Sequence, residues 1–160
     1  MIRQPEAILL IGPPGAGKTT WRDSYMCSAP ANTVVLSTDD LIEAWATERG
    51  LTYAEARRQV DFTQMETAMK AAFRDAVSAR RDLVIDRTNL RIASRRKWLA
   101  NLPGYRRIAV VFEVPEDELR RRLAHRAATG GTFVSPKLLA GMLASYEPPA
   151  ADEFDEIVRV

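Results

Sequence analysis

Positions 12–19 read Gly-Pro-Pro-Gly-Ala-Gly-Lys-Thr, and this segment limits the possible folds more than any other part of the sequence. It matches the pattern G-x-x-x-x-G-K-[ST], which is a specific signal only when it lies between a strand and a helix. The apolar run Ala7 to Ile11 predicts a buried strand before it, and a helix is predicted from about Gly17 to Met26. Glycines let the backbone curve with its N–H groups pointing inward, and the helix adds its positive N-terminal end. The segment therefore predicts a phosphate-binding loop.

The chemistry of the loop predicts a nucleoside triphosphate, taken here as ATP, with Mg²⁺. Lys18 is expected to reach the β- and γ-phosphates, and the Thr19 hydroxyl is expected to contact the metal ion. The loop residues predicted to bind the nucleotide are Gly12, Gly15, Ala16, Gly17, Lys18, Thr19 and Thr20.

Short apolar runs alternate with longer amphipathic segments along the whole chain. Strands are predicted at Ala7–Ile11, Thr33–Leu36, Leu83–Ile85, Ile108–Val114 and Ile157–Val160. Further helices are predicted from Thr52, at Ser94–Asn101, at Glu116–Ala128 and from Pro136. This alternation is typical of an α/β protein with a mainly parallel sheet covered on both faces, whose ligands bind at the carboxyl ends of the strands.

The helix predicted from Thr52 begins with a capping box, because Glu55 follows three residues later. Its apolar residues recur at spacings of three and four, which predicts one buried face. The residues expected on that face are Phe62, Met65, Met69, Phe73 and Val77.

Length and composition predict one domain, residues 1–160, of an ordinary water-soluble kind. Cys27 is the only cysteine, which excludes an intramolecular disulfide and fits a reducing compartment. Apolar runs are too short for a membrane span or a signal peptide, so a cytoplasmic location is expected. The net charge of +2 carries no global nucleic-acid signal, although only four of the 23 basic residues are lysines. Arginine suits bidentate phosphate contacts, but a GC-rich genome is the favoured explanation of such usage.

Two acids follow the second predicted strand, at the edge where the phosphate loop lies. Asp39 is interpreted as a general base that accepts the proton of an attacking hydroxyl, and Asp40 as the cap of the next helix. Asp86 follows the third strand and is predicted to hold the hydration shell of Mg²⁺. The alternative for Asp86 and Asn89 is a capping role in the loop. No Glu follows Asp86, which argues against an ATPase motor.

Four arginines lie on the predicted helix Glu116–Ala128, and their spacing separates them into two groups. Arg122 and Arg126 are four residues apart and share a face, so they are predicted to contact the transferring phosphate. Arg120 and Arg121 are interpreted as solvated. A Gly-Gly pair at 130–131 supports a mobile lid over about residues 116–135.

These motifs together resemble the kinase domain of the phage-type polynucleotide kinase family, from Ile8 to about Tyr146. The matching segments are the loop ending at Trp21, Asp39-Asp40, Ile85 to Leu90, Val114-Pro115 with Leu119, Arg122 and Arg126, and Val134-Ser135-Pro136. The resemblance implies a P-loop kinase three-layer α/β/α sandwich, with Asp39 as base and the lid arginines on the nucleotide phosphates.

The sequence departs from that family at the acceptor side. Ile42 stands where the family has an arginine that holds a phosphate of the nucleic acid. Arg87, Asn89 and Arg91 are therefore predicted to bind substrate together with Asp39, with Arg95 also contributing. Related phage kinases phosphorylate 5-hydroxymethyluracil within DNA during base modification, which would place the protein in the host cytoplasm. For such a flipped base, Trp45 and Tyr53 are candidate stacking platforms.

Three functions remain open on the sequence. The leading one is an ATP-dependent kinase acting on a hydroxyl carried by DNA, either 5-hydroxymethyluracil or a 5′ end. The second is a small-molecule kinase for a sugar, nucleoside or nucleotide-sugar. The third is a non-catalytic nucleotide switch, which Asp39 disfavours. The sequence leaves the oligomeric state open.

Overall fold

A computed structural model describes residues 3–160, and its centre is a five-stranded parallel sheet. The strands are β1 (Glu6–Ile11), β2 (Val34–Ser37), β3 (Leu83–Asp86), β4 (Arg106–Val111) and β5 (Glu156–Arg159). The helices are α1 (Lys18–Met26), α2 (Thr38–Arg49), α3 (Tyr53–Gln59), α4 (Phe62–Ser78), α5 (Ile92–Leu99), α6 (Glu116–Ala128) and α7 (Pro136–Ala144).

The central strand β1 is apolar on both sides because helices cover both faces of the sheet. Leu9 and Ile11 pack on one face with residues of α4 and α5. Ile8 and Leu10 point to the other face, where residues of α1, α6 and α7 cover them. The predicted α/β class and the three-layer arrangement are confirmed.

The strand order β2-β3-β1-β4-β5 determines which loops meet. Strands β2 and β3 run parallel with Ser37 opposite Asp86, and β3 runs parallel to β1 with Ile85 opposite Leu9. Because the carboxyl ends of parallel strands share one edge, the loops after β1, β2 and β3 lie side by side. This edge brings the phosphate loop next to the predicted acids.

The helix predicted from Thr52 to beyond Val77 is in fact two helices. Thr52 and Glu55 form the predicted capping box, but α3 ends before Val60. Asp61 then caps α4 by accepting hydrogen bonds from the amides of Thr63 and Gln64.

The break also changes the predicted buried face. Met69 and Phe73 are buried as predicted, whereas Phe62 is 48% exposed at the first position of α4. Helix α2 was anticipated only through the cap assigned to Asp40, without bounds, and β4 ends at Val111 rather than Val114. None of the helices within residues 3–160 has the length and apolar character needed to cross a membrane.

Candidate active site

The phosphate loop is held open by its own backbone and by Lys18. Gly15 and Gly17 have positive φ angles of 81° and 95°, which favour glycine. The ammonium of Lys18 donates hydrogen bonds to the carbonyls of Gly12 (2.9 Å) and Pro13 (2.8 Å). Gly17 occupies the N-cap position of α1, where no side chain accepts from the first amides of the helix. These amides can therefore bind an anion.

Close packing fixes the position of the loop. The amide of Gly12 donates to the carbonyl of Thr88, in the loop after β3, at 3.0 Å. A Cβ atom at Gly15 would lie 3.2 Å from the side chain of Leu123 on α6. Thr88 and Leu123 thus connect the phosphate loop to the loop after β3 and to α6, which both carry predicted functional residues.

The electrostatic surroundings of Lys18 bring together four residues that the sequence singled out. Burial lowers the pKa of Lys18 to about 8. The charges of Asp86 and Asp39 act in the opposite direction, and the charge of Arg126 lowers this pKa further. Asp39, Asp86 and Arg126 therefore all lie within electrostatic range of Lys18, as a phosphate-transfer centre requires.

Asp39 is in the first turn of α2, directly after β2, and its side chain is exposed. The hydroxyl of Tyr53, at the start of α3, donates a 2.6 Å hydrogen bond to its carboxylate. Burial, followed by this hydrogen bond, raises the pKa of Tyr53, so the tyrosine remains a donor at neutral pH. Tyr53 was considered as a stacking platform, and the structure places it instead against the predicted base.

The helix cap assigned to Asp40 is wrong. Ser37 caps α2, and its hydroxyl accepts a 3.2 Å hydrogen bond from the amide of Asp40. The carboxylate of Asp40 instead accepts two 3.1 Å hydrogen bonds from Arg22. Ser37 is the cap rather than Asp40 because its short side chain lies on the extended residue that ends β2, directly before the helix.

Arg22 is a site residue that sequence reasoning missed. Its guanidinium also donates a 2.9 Å hydrogen bond to Asp86, so it bridges the acids that follow β2 and β3. Its side chain is only 12% exposed. The signal available in the sequence was its spacing, since Arg22 lies one helical turn after Lys18 and shares its face of α1.

Asp86 and Thr19 remain the residues predicted to hold a magnesium ion. Burial raises the pKa of Asp86, while the charges of Arg22 and Lys18 oppose that shift. Within residues 3–160, no three His, Cys, Asp or Glu side chains form a complete metal site. One carboxylate and one hydroxyl nevertheless fit Mg²⁺, which commonly takes few protein ligands and completes its shell with phosphates and water.

Two of the arginines of helix α6 lie near the phosphate loop. Arg122 donates to the carbonyl of Gly15 at 3.3 Å and to Glu118 at 2.6 Å, so it touches the phosphate loop. Arg126 is exposed and lies within electrostatic range of Lys18. Arg120 pairs with Glu116, and Arg121 pairs with Glu118, as solvated side chains on a helix surface commonly do.

The predicted acceptor residues do not form one cluster. Arg87 pairs with Glu66 of α4. Asn89 is 3% exposed, and its amide donates a 2.8 Å hydrogen bond to the carbonyl of Leu10, which favours the structural alternative for this residue. Arg91 is exposed at the N-cap of α5 and lines a separate shallow groove beside α7.

The expectation that Arg95 contacts substrate is wrong. Arg95 is 0% exposed, and its guanidinium forms hydrogen bonds of 3.0 and 2.8 Å with Glu153. It also donates to the carbonyls of Asn89, Leu90 and Glu147. These contacts tie the segment before β5 to α5. Ile42 is also 0% exposed, so it cannot contact a phosphate.

Comparisons with known proteins show what the chain is similar to in sequence. Mouse heterogeneous nuclear ribonucleoprotein U-like protein 2 is 25% identical over 160 residues, which cover 98% of this chain and 22% of that protein. The human protein of the same name is 24% identical. The chain thus spans about a fifth of the length of the curated relatives it matches.

Three solved structures share the fold. A chain of the Pnkp1/Rnl/Hen1 RNA repair complex superposes with a TM-score of 0.71 at 20% identity, over 91% of this chain and 45% of that chain. A putative kinase from Chloroflexus aurantiacus gives 0.68 at 20% identity, over 100% and 86%. A gluconokinase from Sinorhizobium meliloti gives 0.58 at 20% identity, over 99% and 83%.

At these identities the structures show the fold, which is that of the P-loop kinases. The family itself is shown by a sequence model, described as "AAA domain", that matches residues 8–149 and so spans both the phosphate loop and α6. The chain belongs to this AAA_33 family of P-loop domains.

Proposed function

We propose that the protein transfers the γ-phosphate of ATP to a hydroxyl group carried by a polynucleotide. The observation that carries the proposal is the position of Asp39, which is exposed at the same sheet edge as Lys18 and close enough to influence its pKa. A nucleotide switch has no need for an exposed carboxylate in that place, whereas a kinase uses one to orient and deprotonate its acceptor.

In the proposed reaction, the acceptor oxygen bonds to the γ-phosphorus while the bond from that phosphorus to the β–γ bridging oxygen breaks. Asp39 accepts the hydroxyl proton, and ADP leaves. Lys18, the amides from Gly15 to Thr19, and Arg126 stabilise the charge on the phosphate oxygens. Arg122 contributes by holding the loop through Gly15. Mg²⁺, held near Thr19 and Asp86, would supply further charge neutralisation.

A polynucleotide acceptor is supported by similarity to a chain from an RNA repair complex. That neighbour makes RNA as good a candidate strand as the DNA expected from the sequence. Arg87 follows β3, the neighbour of β2 in the sheet, so it is the proposed substrate contact closest to the predicted base. Arg91 would contact a more distant part of the polynucleotide.

A small-molecule acceptor is the second candidate, because the fold is shared with a gluconokinase over nearly the whole chain. In that case a single polyhydroxylated molecule would bind beside Asp39, with its reacting hydroxyl at that carboxylate. Phosphorylation of 5-hydroxymethyluracil within DNA is a third possibility for the same catalytic centre, and it stays a prediction.

A panel of acceptors separates these proposals. ATP labelled at the γ-phosphate is incubated with DNA and RNA strands bearing a free 5′-hydroxyl, with 5′-blocked DNA containing 5-hydroxymethyluracil, and with nucleosides and sugar acids. Label on the free 5′ ends supports the proposal, and label on the blocked strand supports base phosphorylation. Label only on a nucleoside or sugar acid contradicts a polynucleotide acceptor. Lys18→Ala is the control, since it should remove all transfer without unfolding the protein.

A further inference from the structure

A groove between α4 and α5 has a volume of about 1000 Å³. Its floor contains Phe73 of α4 and Trp98 of α5, whose rings lie 5.1 Å apart in an edge-to-face arrangement. One end reaches Arg87 and Thr88, just after β3, and the other end reaches Pro103. The groove therefore begins at the candidate active site and runs away from it.

The walls of this groove are strongly basic. Lys70 and Arg74 line it from α4, Lys97 lines it from α5, and Arg87 lies at the end near the active site. Glu66 is the only acidic residue among its lining residues. Lys70, Arg74 and Lys97 are all exposed, so their charges are available to a ligand.

Three of the four basic residues that line the groove lack acidic partners among residues 3–160. Glu66 lies four residues before Lys70, where it would ordinarily pair with that lysine, but it pairs with Arg87 instead. Within the part of the chain that the structure describes, no ion pair joins Lys70, Arg74 or Lys97 to a carboxylate. Other exposed arginines, such as Arg106 and Arg159, do have such partners.

Two basic residues four apart on one helix face repel each other, so Lys70 and Arg74 do not stabilise α4 by their charges. A groove with unneutralised positive charge on both walls matches a polyanion that runs along it. The distance along α4 from Glu66 to Ser78 is about 18 Å at 1.5 Å per residue. At roughly 3.4 Å per stacked nucleotide of one strand, this length holds about five nucleotides.

We infer that the groove between α4 and α5 binds the phosphate backbone of a single-stranded nucleic acid whose acceptor hydroxyl is at Asp39. This inference rests on the proposed polynucleotide acceptor and extends it to a second binding surface. Lys70, Arg74 and Lys97 contact phosphates several nucleotides away from the reacting group. They bind strands of any sequence, because phosphate contacts carry no base information.

The test compares two variants that lose the same number of charges. Lys70→Gln/Lys97→Gln removes one cation from each wall. Arg96→Gln/Arg120→Gln is the control, because neither residue lines the groove and both are exposed. Binding of a fluorescent single strand of about twelve nucleotides, as DNA and as RNA, is measured by anisotropy over a series of salt concentrations.

The expected result is a change in salt dependence. Two lost phosphate contacts reduce the slope of log affinity against log salt by about 1.4, at roughly 0.7 per contact. The control keeps the wild-type slope. In phosphate transfer, the groove variant raises KM for the long strand but leaves its kcat, and the KM for a dinucleotide, unchanged.

Equal weakening in both double variants would overturn the inference, because net charge alone would then explain binding. An unchanged slope in the groove variant, with transfer to polynucleotides intact, would also overturn it while leaving the proposed function standing. Transfer to small molecules only, with no binding of either strand by the wild type, would remove the proposed function and this inference together. A raised KM for a small anionic acceptor in the groove variant would assign the groove to that molecule instead.

Discussion

The hydroxyl of Tyr53 donates a 2.6 Å hydrogen bond to the carboxylate of Asp39, which joins the start of α3 to the first turn of α2. This contact fixes the direction of an otherwise exposed carboxylate. A base must be held within hydrogen-bond reach of the proton it accepts, so the tyrosine is expected to act as a positioning residue.

Tyr53→Phe should lower kcat by about fivefold, since a single hydrogen bond of this kind contributes about 1 kcal/mol. The KM for ATP should stay the same, because Tyr53 lies on the acceptor side of Asp39. Steady-state kinetics with ATP and acceptor varied separately provide the measurement. An unchanged kcat would mean that Asp39 is positioned without the tyrosine.

The lowered pKa of Lys18 predicts that nucleotide binding depends on pH. Its pKa of about 8 means that the ammonium is present below that pH and is lost above it. Because phosphate binds the charged form, log Kd for ATP should rise by about one per pH unit above pH 8. Lys18→Arg keeps its charge throughout this range and should remove the dependence. The same pH dependence in Lys18→Arg would assign the titration to another group.

Arg126 and Arg120 lie on the same helix, but their substitutions are expected to have different effects on the rate of phosphate transfer. Arg126→Ala should slow transfer by about 10²-fold or more, because it removes a cation next to Lys18 and the transferring phosphate. Arg120→Ala breaks only the exposed pair with Glu116 and should be nearly silent. Single-turnover transfer rates of the two variants provide the comparison. Equal effects of both substitutions would contradict the proposed role of Arg126.

Arg95 should affect stability rather than binding. Arg95→Met leaves Glu153 and three main-chain carbonyls without their buried donor, and should lower the free energy of unfolding by about 3–5 kcal/mol. For a chain of this size, Tm should fall by roughly 10 °C. Thermal unfolding measures this change. An unchanged Tm with weaker binding of an oligonucleotide would instead restore the expectation drawn from the sequence.

The phosphate loop was predictable from sequence because its function depends on local features. The backbone angles of Gly15 and Gly17, the preceding apolar strand and the following helix are all encoded within twenty consecutive residues. The alternation of strands and helices predicted the α/β class in the same way. The position of Asp39 followed from its place just after a predicted strand, since parallel strands place their carboxyl ends at one edge.

The features that were missed depend on partners distant in sequence. Nothing near Arg95 indicates that Glu153, 58 residues later, will bury it. Arg22 reaches Asp86 across 64 residues, so its bridging role required the three-dimensional structure. The break between α3 and α4 was missed because helical periodicity continues through it, while Asp61 caps a new helix.

Asp39→Asn tests the central claim most directly, with Asp40→Asn as the matched control. Transfer of labelled γ-phosphate to a 5′-hydroxyl strand is measured in a single turnover, together with ATP affinity. The account predicts that Asp39→Asn lowers the transfer rate by about 10²–10⁴-fold with ATP affinity nearly unchanged, while Asp40→Asn has a much smaller effect. Near-normal transfer by Asp39→Asn, or a loss confined to Asp40→Asn, would contradict the assignment of Asp39 as the base.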